Sequence, residues 1–344
     1  MRSSRILRKS CKQVFGLILK IRNFSDLGWR VSEIGLGCWA IGSEWGDVSD
    51  DDARKTLKTS LDEGINFFDT ADVYGDGRSE KFVGELLKST SEKIYVATKT
   101  GRRLDPHNSD GYNINQIEPF VDRSLLNLGV ESVDLMQLHC PPTEAYSKDE
   151  TYSMMDELVK KGKIQYYGVS VETVEEALEA IKRPNIKSVQ IIFNIFRQKP
   201  AEKFFIEASK KNVAIIVRVP LASGLLTGKM NMQSKFPNND HRNYNIQGKA
   251  FDVGETFAGV PYHKGIEAVE ELKKIIPEGF TLADMSLKWI LSHPQVTVVI
   301  PGAKNTNQAQ LNTKASGKDS IDNIMGQIKE IYTNIIKPEV HHRW

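Results

Sequence analysis

Only three cysteines, Cys11, Cys38 and Cys140, occur in the 344 residues, and none forms a CxxC pair. They cannot build a disulfide framework, so the chain reads as one suited to a reducing, cytoplasmic setting. Net charge is close to zero, at +2, which gives no argument for nucleic acid or a membrane surface as partner. No apolar stretch approaches the roughly 18–20 residues that span a bilayer. No GxGxxG follows a strand-like run, and "GLLTGKM" (224–230) is without the Ser or Thr that completes a phosphate-binding P-loop.

Acids are missing from the start of the chain. Seven basic residues (Arg2, Arg5, Arg8, Lys9, Lys12, Lys20, Arg22) precede the first acid, Asp26. The apolar "VFGLIL" is short for a secretory segment of about 7–15 residues, and no small-residue cleavage site follows it. Residues 1–21 therefore read as a basic leader, either a disordered extension or an organelle transit peptide. Residues 22–344 are expected to form a single domain.

What is present is ordinary for a globular chain: 40% hydrophobic and 26% charged residues. From residue 34, short apolar runs alternate with longer amphipathic segments. The runs fall at 34–38, 66–70, 94–99, 133–139, 165–170, 188–194, 214–219 and 296–300. Helical patterns lie between them, such as "DDARKTLKTSLDEG", which ends on Gly64, and "QIEPFVDRSLLNLG", which ends on Gly129. Eight strand-then-helix units predict a (β/α)8 TIM barrel, with residues 22–33 as a β-hairpin closing its base. The long polar stretch 228–262 is expected to be functional or disordered.

Barrels of this kind carry their sites at the C-terminal ends of the strands. Those ends hold Asp69, Lys99, His139, Ser170, Asn194 and Arg218, with Tyr74 in the loop after the second run. Each alone has a bland reading: a turn residue, a snorkelling lysine, a wall histidine. Together they suit proton delivery to an oxygen. A phenol of ordinary pKa near 10 is a donor, an ammonium beside it stabilises the phenolate, and a carboxylate keeps that ammonium charged. An imidazole can orient the accepting oxygen. No nucleophile with a paired base is evident and carboxylates are too few for a metal, so a hydride would come from a bound cofactor. Cys140, next to His139, reads as a reactive thiol or, more simply, a small buried residue.

From about residue 22 to about 315 the sequence resembles an aldo-keto reductase. The resemblance rests on "RVSEIGLGCWAIG", "GINFFDTADVYGDGRSEKFVGELL", "VATKTG", "SVDLMQLHCPP", "GKIQYYGVS", "PLASGLLTGK" and "VIPGAKNTNQAQLN", in family order. It implies a catalytic set of Asp69, Tyr74, Lys99 and His139, with Tyr74 as general acid. It implies NADPH, with NADH possible, lying extended across the barrel mouth. Ser170 and Gln190 would hold the nicotinamide carboxamide, although Val171 stands where Asn often follows that serine. Arg218 would take the stacking position, as in a bacterial-type branch of the family. An arginine there could also attract an acidic substrate group, or be a salt-bridged structural residue. Cofactor contacts also carry over to Cys38, Trp39, Pro220, Leu221, Gly224 and Leu225. Gly302, Ala303, Lys304, Gln308 and Asn312 match the adenosine-phosphate site. Many NADPH-preferring members have Arg where Gln308 stands, and Lys304 could serve the 2′-phosphate as a point charge. Trp39 and Trp45 read as walls of the substrate pocket. The resemblance implies a small-molecule carbonyl substrate and a monomer or weak homo-oligomer. The family also includes channel-associated β subunits, which gives the alternative of a cofactor-binding partner subunit.

Overall fold

The computed structural model describes residues 19–42 and 45–344. Cys11 and most of the basic leader lie outside the described residues. The fold begins before residue 22: Leu19 is buried, the Lys20 amide donates to Ser316 Oγ (3.0 Å), and Ile21 opens the first strand. Strands β1 (Ile21–Phe24) and β2 (Trp29–Ser32) pair antiparallel. Their inward side chains Phe24, Trp29 and Val31 are buried, as strand alternation requires.

Eight parallel strands follow: β3 (Leu36–Gly37), β4 (Phe67–Asp69), β5 (Tyr95–Thr100), β6 (Val133–His139), β7 (Ile164–Ser170), β8 (Ile186–Ile192), β9 (Ala214–Arg218) and β10 (Val296–Val299). They are hydrogen-bonded in chain order from β3 to β10. Parallel bridges Ile34–Val299 and Gly37–Gly302 join the last to the first. Each predicted run overlaps one of these strands, although β5 runs one residue past its run and β7 and β8 begin one and two residues before theirs, and helices fill the connections. Ser49 caps the helix Asp50–Asp62, whose first turn carries three aspartates. Thr173 and Glu176 form a capping box at Val174–Ala180, and Thr281 and Asp284 form another at Leu282–Leu291.

Two apolar clusters divide the core. One fills the space between strands and helices. The other lies inside the barrel and joins Phe24, Trp29 and Val31 of the hairpin to Phe67, Tyr95, Ala97, Leu135, Ala214, Ile216, Val298 and Ile300. Reading each inward series toward the strand's C-terminal end replaces apolar side chains by polar ones. Phe67 leads to Asp69, Tyr95 and Ala97 to Lys99, Leu135 to Gln137 and His139, and Ala214 and Ile216 to Arg218. The hairpin seals the bottom, and the polar layer faces the mouth.

The stretch 228–262 is ordered over that mouth. It carries the short helix His241–Tyr244, and Asp240 forms an antiparallel bridge with Trp45. At the end of the chain Trp344 is buried, with the Arg197 guanidinium 3.9 Å from its ring and its Nε1 donating to Asp252 (3.2 Å). Among the described residues no helix is long and apolar enough to cross a membrane.

Candidate active site

Asp69 and Lys99 are placed by neighbouring strands, β4 and β5. Lys99 is fully buried and donates to three acceptors: Asp69 Oδ1 (2.5 Å), the Thr70 carbonyl (2.8 Å) and Tyr74 Oη (3.2 Å). Its three N–H bonds are thus all used. Asp69 Oδ2 accepts from Gln190 (2.7 Å) and Gln137 (3.1 Å).

Tyr74 comes from the loop after β4, which is locked onto the loop after β3. Gly75 has φ +60°, and a Cβ there would stand 2.5 Å from the Gly42 carbonyl oxygen, so glycine is required at that crossing. Arg78 fastens the two loops by donating to the Gly42 (3.2 Å) and Val48 (2.8 Å) carbonyls. Ser79 Oγ donates to the Cys38 carbonyl (2.9 Å), which is where Cys38 enters the site. Arg103 holds the far side through Asp72 and Asp76. The His139 ring meets Tyr74 edge-on at 5.9 Å.

These surroundings set the protonation states. Burial opposes the charge on Lys99, yet Asp69 and Tyr74 outweigh it and its pKa is raised. His139 is lowered well below 6.5 by burial, then by Arg102 and Lys99, so it is neutral. Its Nδ1 is buried with no partner. For Tyr74 the expected lowering by Lys99 is outweighed: burial pushes the phenol up to about 12, with Lys99 drawing it back. The phenol therefore keeps its proton at neutral pH. Cys140 is buried and its thiol is pushed up in pKa, which favours the small-buried-residue reading over the reactive one.

The remaining predicted contacts fall on two sides. Ser170 closes β7 beside His139. Gln190 is held by Asp69. Arg218 is ion-paired: Nη1 lies 2.5 Å from Glu255 Oε1, out of line for a hydrogen bond, and Nη2 donates to the Val171 carbonyl (2.8 Å). After β9 the segment holding Pro220, Leu221, Gly224 and Leu225 runs through positive φ at Val219, Ala222, Ser223 and Gly224. Backbone of this left-handed kind makes anion-binding concavities. Past β10, Gly302, Lys304, Gln308 and Asn312 are tied together. Gln308 accepts from the Lys304 amide (2.8 Å), and Asn312 donates to the Gly302 carbonyl (3.1 Å). Lys304 Nζ donates to the Trp45 carbonyl. Trp39 stacks on Tyr74 at 5.9 Å, and His241 lies against both Trp39 and Trp45 at 4.7 and 4.5 Å. Cation, concave backbone and the unpartnered Nε of Arg218 suit a nicotinamide dinucleotide along this side.

Sequence reasoning missed Gln137, Glu255, Arg102 and His241. Gln137 could have been found, since it shares the inward parity of His139. Glu255 and His241 stand in a connection without periodicity, where no such signal exists.

The sequence model of the aldo/keto reductase family matches residues 33–333. The chain is 28% identical over 328 residues to "Aldo-keto reductase YhdN" of Bacillus subtilis, covering 94% of this chain and 96% of that protein. It is 29% identical to a "Probable voltage-gated potassium channel subunit beta" of Arabidopsis thaliana, covering 86% of this chain and 91% of that one. Its fold is similar to the holo form of aldo-keto reductase AKR11C1 from Bacillus halodurans, with TM-score 0.73 and 28% identity over 95% of this chain and 99% of that one. The chain belongs to the aldo/keto reductase family, oxidoreductases acting on carbonyl compounds.

Proposed function

We propose that this protein reduces aldehyde and ketone carbonyls to alcohols with NADPH, NADH being the weaker alternative, and that Tyr74 Oη gives the proton. The observation that carries this reading is the single ammonium of Lys99 shared between Tyr74 Oη (3.2 Å) and Asp69 (2.5 Å). Ser170 and Gln190 would hold the carboxamide, Arg218 the stacking position, and the segments 220–225 and 302–312 the phosphates. When bound, the dinucleotide supplies the hydride. Neutral His139 orients the carbonyl oxygen by hydrogen bonding, Tyr74 protonates it, and Lys99 stabilises the phenolate left behind. The aromatic wall of Trp39 keeps water from this oxygen. Free, buried Cys38 and Cys140 fit a reducing cytoplasm, and we take the protein as a monomer or weak homo-oligomer.

The test is NADPH consumption with an activated aromatic aldehyde, comparing the parent with Tyr74→Phe. A loss of about 10²-fold or more supports the assignment. Equal rates would remove Tyr74 as proton donor. Tight cofactor binding with no turnover by either protein would favour a partner-subunit role, as the name of the Arabidopsis relative suggests for that protein.

A further inference from the structure

Among the described residues, most cations at the mouth of the barrel are taken up by partners or covered. Lys99 uses its three donors on Asp69, Thr70 and Tyr74. Arg103 faces Asp72 and Asp76. Arg218 is paired with Glu255 and donates to Val171. Arg197 lies against the Trp344 ring, donates to the Ala258 (3.4 Å) and Glu172 (3.5 Å) carbonyls, and is buried out of a substrate's reach.

Arg102 differs. It follows Gly101 at the end of β5, two residues beyond Lys99, and its guanidinium lies beside His139. Among the described residues its five N–H donors meet three acceptors, the His139 carbonyl at 3.4 Å, Glu172 Oε1 at 3.3 Å and the neighbouring Cys140 sulfur, which leaves donors to spare. Both distances are at the long end for a charged donor, where about 2.7–2.9 Å is usual. The side chain is 21% exposed, whereas that of Arg218 is 9% exposed. The neighbouring Cys140 thiol is kept neutral by burial and cannot balance the charge. The Glu172 carboxyl is itself pushed up to about 7 by burial and by Asp252, so it is a weak counter-ion at neutral pH.

We propose that Arg102 is a specificity-determining residue that seats an anionic group of the substrate, and that the preferred substrates are carbonyl compounds bearing a carboxylate. This rests on the carbonyl-reductase reading above. It moves the acid-recognising charge from Arg218, which Glu255 neutralises, to Arg102. The planar fork of Arg102 suits a bidentate carboxylate, which would displace the loosely held Glu172. The carboxylate then lies on the His139 side of the carbonyl and fixes which end of the substrate faces Tyr74.

The test compares 4-carboxybenzaldehyde with its methyl ester, which has nearly the same shape and no charge, as substrates with NADPH. The quantity read is the acid-to-ester ratio of kcat/KM within each protein, which cancels any general loss from a substitution. The wild type is expected to prefer the acid by about tenfold or more, falling as ionic strength rises. Arg102→Leu should bring the ratio to near unity or below, and Arg102→Lys should restore part of it. A wild-type ratio near one, or a ratio unaffected by Arg102→Leu, overturns the anion seat while ester reduction leaves the reductase reading standing. Calorimetric titration of the cofactor-loaded protein with 4-carboxybenzaldehyde separates the other failure. Binding without turnover, lost in Arg102→Leu, keeps the anion seat and removes the reductase. Neither binding nor turnover removes both.

Discussion

Tyr74 rests its backbone directly on Gly42. A Cβ built on Gly42 would stand 2.7 Å from the Tyr74 carbonyl carbon, 2.8 Å from its Cβ and 2.9 Å from its carbonyl oxygen. The loop after β3 is therefore the platform that sets how far the phenol reaches toward Lys99. Gly42→Ala should push Tyr74 off that platform and lower kcat by about 10–100-fold, the scale of an ångström's misplacement. Cofactor affinity, read by nicotinamide fluorescence, should change far less. An unchanged kcat would mean the loop absorbs the methyl group elsewhere.

Removing Lys99 should do two separable things. Lys99→Met leaves Asp69 buried with only the two glutamine amides, and breaking one side of a buried pair costs about 3–5 kcal/mol. Adding Asp69→Asn removes the stranded charge and should return a good part of that stability. Turnover should fall with the single change and stay low in the double variant, since no ammonium remains beside Tyr74 Oη. Urea unfolding beside steady-state rates checks both. If the double variant is no more stable than the single, the charge pair is not what holds this part of the barrel.

The barrel and its polar layer were legible because a strand's period of two writes its inward face into the sequence. Phe67–Asp69 and Tyr95–Ala97–Lys99 can be read as apolar side chains giving way to a charged one. The glycines that punctuate helix ends, Gly64 and Gly129, mark the connections by the same local physics. Less was legible where contacts are long-range. The Arg218–Glu255 pair joins a strand end to residue 255 of an aperiodic connection, and only the fold brings them together. The burial of Leu19 was illegible for the same reason, since packing and not any pattern around it covers that side chain. The phenol's raised pKa was equally hidden, since its leading cause is burial of a loop residue whose environment no spacing encodes.

His241 should make the fold sensitive to mild acid. Its ring is fully buried between Trp39 and Trp45, Nδ1 meets Thr256 Oγ1 at 3.0 Å, and Nε2 has no partner. Burial lowers its pKa from 6.5 to about 3. Between those values the unfolded chain binds the proton and the folded one does not. The stabilising contribution is thus full above about pH 6.5 and is lost as pH falls toward 3, roughly 2 kcal/mol of it by pH 5. Asp72 and Glu172, both pushed up to about 7 by burial, titrate nearby with the opposite sign. The quantity to read is therefore the unfolding free energy of wild type minus His241→Phe at pH 7.5 and at pH 5. That difference should shrink by about 2 kcal/mol in favour of the variant at the lower pH. A pH-independent difference would mean the imidazole is not held neutral.

The connection over the mouth should depend on one buried charge. Glu255 and Arg218 have side-chain exposures of 12% and 9%, so salt screens their pairing little. Glu255→Gln leaves the guanidinium of Arg218 with the Val171 carbonyl and the Cys140 sulfur as its remaining partners. That uncompensated charge should cost about 3–5 kcal/mol. It should also loosen the hold of residues 228–262 on β9, so limited proteolysis within that stretch should speed up by about tenfold or more, following the larger open population. Wild-type cleavage should be nearly unaffected by added sodium chloride. If Glu255→Gln is cleaved no faster than the parent, the connection is held instead by the Trp45–Asp240 bridge and the packing of His241 on the two tryptophans. Disrupting that aromatic contact would then be the change that frees it.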